Sequence, residues 1–111
     1  MEHLEKFTSF IQTTRYEALP ESVITRAKLI LADCVAAIVG GMAEPEMQNL
    51  VETTPTSGLA NILGTSVTAD MMTASFINGT AGTVLEMDEG SQFARGHPGM
   101  HVFPALLAAA Q

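Results

Sequence analysis

Residues 19–41 read LPESVITRAKLILADCVAAIVGG. Pro20 suits the first turn of a helix: its ring presets φ, and the N–H it lacks is one a helix start leaves unpaired anyway. Glu21 follows at the positive end of the helix dipole. Val23, Ala27, Ile30, Leu31, Cys34 and Ile38 then recur at helical spacing and cover a wide apolar surface. The spacing predicts a helix from Pro20 to Val39, ended by the pair Gly40–Gly41. A helix this apolar needs neighbours on more than one side. The stretch therefore predicts an all-α body of packed helices.

The flanking segments agree with that class. MEHLEKFTSFIQTTRY (1–16) sets Leu4, Phe7, Phe10 and Ile11 on one face, predicting an amphipathic first helix. AEPEMQNLVETT (43–54) predicts a short third helix and PTSG a turn. LANILGT (59–65) reads as a short extended segment closed by Gly64. SVTADMMTASFINGTAGTVLEM (66–87) predicts a long helix capped by Ser66 or Thr68. Its small residues let helix backbones approach. The Asn78–Gly79 pair costs helix stability, so packing or a nearby site must compensate. A last helix begins near Pro98–His101, with Pro104 tolerated in its first turn or as a kink. The expected count is about five helices and at most one short strand, in one domain or part of one.

Composition narrows function. The chain has 111 residues, five Lys and Arg against twelve Asp and Glu, and a formal charge of −7. Such a chain repels nucleic acid. The single cysteine, Cys34, cannot form an internal disulfide, which points to a reducing compartment. Its apolar surroundings make it core filler rather than a nucleophile. The N-terminus lacks the basic and apolar regions of a secretory signal. The run from Leu29 to Met42 contains Asp33 and is too short to span a membrane. A soluble, cytoplasmic protein is expected. Asp33 is expected to face water or a neighbouring helix end, and His3 to be solvated.

The polarity gathers in LEMDEGSQFARGH (85–97). Glu86, Asp88 and Glu89 follow a helix C-terminus, where negative charge is unfavourable by roughly 0.3–1 kcal/mol each at exposed sites. The loop delivers Arg95 and His97 to the next helix start, which favours anions and a neutral imidazole. Carboxylate, guanidinium and histidine together suit proton abstraction beside a carboxylate on an acidic substrate. A solvated acidic loop is the plainer reading of the same residues. A metal site from His97, His101 and Asp88 or Glu89 is a rival use, but the spacing is not HExxH. His101 reads as a packing or surface residue. Nucleotide and serine-nucleophile motifs are absent.

Four stretches in order resemble the N-terminal part of the MmgE/PrpD family, whose members include 2-methylcitrate dehydratase and cis-aconitate decarboxylase. They are LPESVITRAKLILADCVAAIVGG, ANILGTSVTAD, ASFINGTAGTVLEMDEG and GHPGMHVFPALLAAAQ. The resemblance implies the N-terminal segment of a large helical domain, an incomplete domain over residues 1–111. In the family, a smaller α+β domain closes a cleft over the site, usually within a homodimer. It implies metal-independent lyase or isomerase chemistry on small di- or tricarboxylates, with no cofactor. His97 takes the position of the family's His-Pro histidine. Glu86, Asp88 and Glu89 fall on its acidic pattern. The pattern's threonine falls on Gly90, or on Ser91 with a one-residue shift, which leaves the acid open. The implied catalytic residues are His97, Glu86 and Asp88. Glu89 and Ser91 are the implied substrate contacts, and Arg95 is expected beside them because a guanidinium pairs with a substrate carboxylate. Family members are several times longer than this chain, so a fragment inactive by itself is expected. The alternative is a non-catalytic helical interaction module or a truncated remnant.

Overall fold

The computed structural model describes residues 2–93 and 95–111. Met1 and Ala94, the latter inside the expected polar loop, lie outside the described residues. Helix α1 (Glu2–Thr13) leads through a 3-10 turn (Tyr16–Ala18) to α2 (Glu21–Met42) and α3 (Pro45–Thr53). A two-stranded antiparallel ribbon follows, β1 (Ala60–Asn61) on β2 (Thr68–Ala69). It leads into α4 (Met71–Thr83), and α5 (Pro98–Ala109) closes the order. The fold is mostly helical, as the apolar periodicity requires.

The core lies where α2, α4 and α5 pack on one another. Ile38 from α2 and Ile77 from α4 are fully buried, with Cys34, Ile62, Ala74 and Ala81 around them. Small side chains make this close approach possible. At Gly41 an added Cβ would overlap the Ala81 carbonyl, and at Gly82 it would overlap the Met100 thioether. These glycines are contact points between helices. That explains one departure from expectation: α2 runs through Gly40–Gly41 to Met42 instead of ending there. The pair is spent on packing, not on a left-handed stop.

A second departure concerns α4. Its N-cap is Asp70, whose Oδ1 accepts from the N–H groups of Met72 (2.9 Å) and Thr73 (3.1 Å). Ser66 and Thr68 lie before the helix, and Thr68 is in β2, so two short strands form where one at most was expected. The reversal between them uses Gly64 at φ 81°, a left-handed value that suits glycine. The helix also stops at Thr83, short of Met87.

Asn78 supplies the compensation that the Asn-Gly pair needs. It is 1% exposed. Its amide nitrogen donates to the Asn61 carbonyl (2.9 Å), and its oxygen accepts from the Leu63 N–H (2.9 Å). The side chain pins the β1 segment to α4. Gly79 faces Pro104, which sits buried inside α5 rather than in its first turn. Gln111 holds the same β1 segment, its side-chain oxygen accepting from the Asn61 N–H (2.6 Å).

Helix α1 forms as its pattern predicts, but Leu4, Phe7, Phe10 and Ile11 are all exposed. Among the described residues α1 packs against no other element. His3, Asp33 and His101 are exposed as well. No helix among the described residues is long and apolar enough to cross a membrane.

Candidate functional site

The loop from α4 to α5 is shaped by its backbone. Thr83 ends the helix, and its carbonyl accepts from the Glu86 N–H (3.0 Å). Glu86 turns the chain with φ 53°. Ser91 then pairs with Arg95 and Gly96 across a reversal. The Ser91 N–H donates to the Gly96 carbonyl (2.9 Å), and the Arg95 N–H donates to the Ser91 carbonyl (2.7 Å). Arg95 takes φ 51°, a left-handed conformation that non-glycine residues seldom adopt. The reversal sets His97 beside Asp88 and Glu89, at the position just before α5.

His97 is bound through one ring nitrogen. Nδ1 lies 2.9 Å from the Glu89 carbonyl oxygen and 3.1 Å from Asp88 Oδ2. The alignment favours the carbonyl, and Asp88 Oδ2 has no hydrogen-bond partner among the described residues. A carbonyl only accepts, so Nδ1 carries the proton. In the neutral ring the lone pair is then on Nε2. The His97 side chain is 47% exposed and Asp88 only 3%. A half-open imidazole therefore stands over a buried carboxylate with one oxygen unpaired. Buried polar atoms seldom lack a partner, and the exceptions call for a reason.

Glu89 closes the arrangement from below. Its Oε2 accepts from the Gly99 N–H (3.2 Å) at the first turn of α5. Cys34 of α2 lies against Gly99: an added Cβ there would come within 2.9 Å of the thiol sulfur. Burial pushes the Cys34 thiol above its usual range, and Glu89, Asp33 and Asp88 push it the same way. A thiol held protonated is a poor nucleophile, in keeping with the reading of Cys34 as packing.

A cavity of about 820 Å³ lies between α2 and the loop and reaches this cluster at Glu89 and Pro98, while His97 and Asp88 are not among its lining residues. Arg26, Ile30, Asp33, Glu89, Ser91 and Pro98 are among its lining residues. Asp33 and Ser91 thus meet at one opening. Arg26 was not singled out from the sequence. The available signal was its place seven residues before Asp33, on the same face of a helix. Glu86 and Arg95 are exposed and line neither this cavity nor the His97 contact. Among the described residues no group of three or more His, Cys, Asp or Glu is placed to hold a metal ion.

The fold and the site define a mostly helical domain that presents a histidine–carboxylate pair on the loop between two core helices. The family model for the MmgE/PrpD N-terminal domain matches residues 5–111, and the chain belongs to that family. Neither the curated proteins nor the solved structures gave a match.

Proposed function

We propose that this chain supplies the proton-transfer half of a metal-independent lyase or isomerase-type enzyme for small di- or tricarboxylates, of the 2-methylcitrate dehydratase kind. The observation that carries the reading is the His97–Asp88 pair. His97 Nε2 has no partner among the described residues, while Nδ1 is fixed from behind. Nε2 takes a proton from the carbon next to a substrate carboxylate. The ring then bears a positive charge, and the Asp88 carboxylate 3.1 Å from Nδ1 neutralises it. A positioned base of this kind contributes about 10²–10⁴-fold to rate.

Proton transfer at that carbon is common to dehydration, isomerisation and epimerisation. Family membership supports the substrate class, and Arg26 and Ser91, which both line the cavity, offer contacts for a carboxylate. The half-open His97 fits a site that a second domain covers, so the chain by itself does not turn over substrate. The buried, unpaired Cys34 fits a reducing cytoplasm. The test is turnover of citrate-like and aconitate-like acids by the protein expressed from its native locus. His97→Ala abolishes it in this reading; unchanged turnover defeats the assignment.

One observation favours a second reading, a helical interaction module. Leu4 and Phe10 are 71% and 62% exposed, and an apolar groove lined by Met72, Phe76 and Leu106 runs between α4 and α5. Surfaces of this kind mark contacts with other chains or domains. In the enzyme reading they serve a homodimer or the rest of the domain. Both readings leave the assembly of His97→Ala unchanged, so activity separates them: the interaction reading predicts no turnover by the wild-type protein expressed from its native locus.

A further inference from the structure

We infer that Glu89 is a positioning residue, which fixes the His97 ring so that Nδ1 is committed to the protein and Nε2 faces outward. The inference rests on the reading of His97 as the base, and it gives Glu89 a role other than substrate contact. The first observation is a missing cap. His97 stands at the N-cap of α5 yet makes no side-chain capping bond. Glu89, ten residues before Gly99, supplies the acceptor instead: its Oε2 takes the Gly99 N–H at 3.2 Å. Negative charge at a helix start is favourable, so the contact is stabilising by itself.

The second observation is that the same residue holds the ring. The Glu89 carbonyl accepts from His97 Nδ1 at 2.9 Å. One residue therefore grips α5 by its side chain and His97 by its backbone. The third is that the grip is packed on both sides. A Cβ on Gly99 would lie 2.9 Å from Cys34 Sγ and 3.2 Å from Glu89 Cγ and Cδ. The Glu89 side chain is thus fitted against the one N-terminal residue of α5 that has no side chain, with Cys34 of α2 behind it. By contrast, Gly90, the next residue along, has open space where a Cβ would be. The packing of the loop on α5 is thus local to Glu89.

The clamp also settles a competition. Asp88 Oδ2, at 3.1 Å, is the other acceptor within reach of Nδ1. By holding its carbonyl in line, Glu89 accepts the Nδ1–H hydrogen bond and leaves that carboxylate oxygen unpaired. Asp88 then acts on the ring as a neighbouring charge. Without the clamp Nδ1–H turns toward Asp88 Oδ2, and the outward nitrogen is re-aimed with it.

The experiment uses two near-isosteric variants of the chain. Glu89→Gln keeps an oxygen for the Gly99 N–H, and Glu89→Met fills the same space without one. Long-range ¹H–¹⁵N spectra of labelled protein at a pH where His97 is neutral report which nitrogen carries the proton. Wild type and Glu89→Gln show a single Nδ1–H form. Glu89→Met shifts the His97 ring resonances away from the wild-type positions as Nδ1–H turns to Asp88, with the circular dichroism of a folded helical chain. In turnover by the protein expressed from its native locus, Glu89→Met lowers kcat at least tenfold with KM within about twofold, and Glu89→Gln regains most of it. An Nε2–H form in wild type overturns the inference, as does a Glu89→Met spectrum identical to wild type. If His97→Ala leaves turnover unchanged while the spectra behave as stated, the enzymatic reading fails and the positioning role stands. Should Glu89→Met not fold, the wild-type tautomer and the Glu89→Gln spectrum still decide it: an Nε2–H form in either overturns the clamp.

Discussion

Gly41 of α2 lies directly against the backbone of Ala81 in α4, with no room for a Cβ between them. The contact sets how near the two helices come, and with it the floor beneath the α4–α5 loop. The obstacle is a carbonyl rather than a flexible side-chain end. Gly41→Ala therefore forces the helices apart, and overpacking of this kind costs about 1–3 kcal/mol. Thermal unfolding checks it: the midpoint falls by several degrees. A rise, as expected for a glycine replaced in a free helix, contradicts the packing.

Asn78 makes a sharper case. Its removal leaves the Asn61 carbonyl and the Leu63 N–H without their partner. A buried polar group left unpaired costs about 1–3 kcal/mol. Asn78→Leu restores the volume but neither bond, so urea unfolding gives a loss of at least about 2 kcal/mol on that principle. Protection of the Leu63 amide in hydrogen exchange falls with it. An unchanged Leu63 amide contradicts the bridge.

The cap of α4 responds to pH. Hydrogen bonds from the Thr73 side chain first, then from the Thr73 N–H and the Met72 N–H, hold Asp70 below its ordinary value of 3.8. A carboxyl depressed by folding leaves the unfolded chain binding more protons as acid is added. Its contribution is complete above 3.8 and fades as pH falls through the lower folded value. Melting curves of Asp70→Asn against wild type should therefore differ most near neutrality and converge in strong acid. A gap that widens in acid contradicts the sign.

Helix α1 touches none of the other elements among the described residues. Deleting it through Thr13 should leave the unfolding free energy of the remaining body within about 0.5 kcal/mol, the range of changes away from buried features. Calorimetry on the shortened chain measures this. A loss beyond about 1 kcal/mol shows that α1 packs on the body in solution.

Much of the fold was legible in the sequence because period and composition report burial directly. The α2 segment had apolar residues on too many sides to be anything but a central helix, and Pro20 marked its start. What misled was the glycine signal. Gly40–Gly41 has the form of a stop, and only the neighbouring helix shows that it is a contact. Likewise Asp70 outcompeted Ser66 and Thr68 as cap, because residues 68–69 are drawn into pairing with residues 60–61. Local propensity does not contain that long-range bond.

The site was legible as a set and not as a geometry. The crowding of Asp88, Glu89 and His97 stood out as an acidic loop entering a helix. Their division of labour did not. Whether a carboxylate faces a ring nitrogen, a backbone N–H or a cavity depends on turns at Glu86 and Arg95, whose left-handed conformations no residue type announces. Arg26 went unseen because it reaches the cavity from a distant helix.

The most direct test of the central claim is solvent deuterium exchange. Citrate-like and aconitate-like acids are incubated in D₂O with the protein expressed from its native locus, and incorporation next to the carboxylates is followed by NMR. The account predicts incorporation that falls by about 10²-fold or more in His97→Ala, the contribution of a positioned base, with a smaller fall in Asp88→Asn. Incorporation at the same rate in His97→Ala would contradict it.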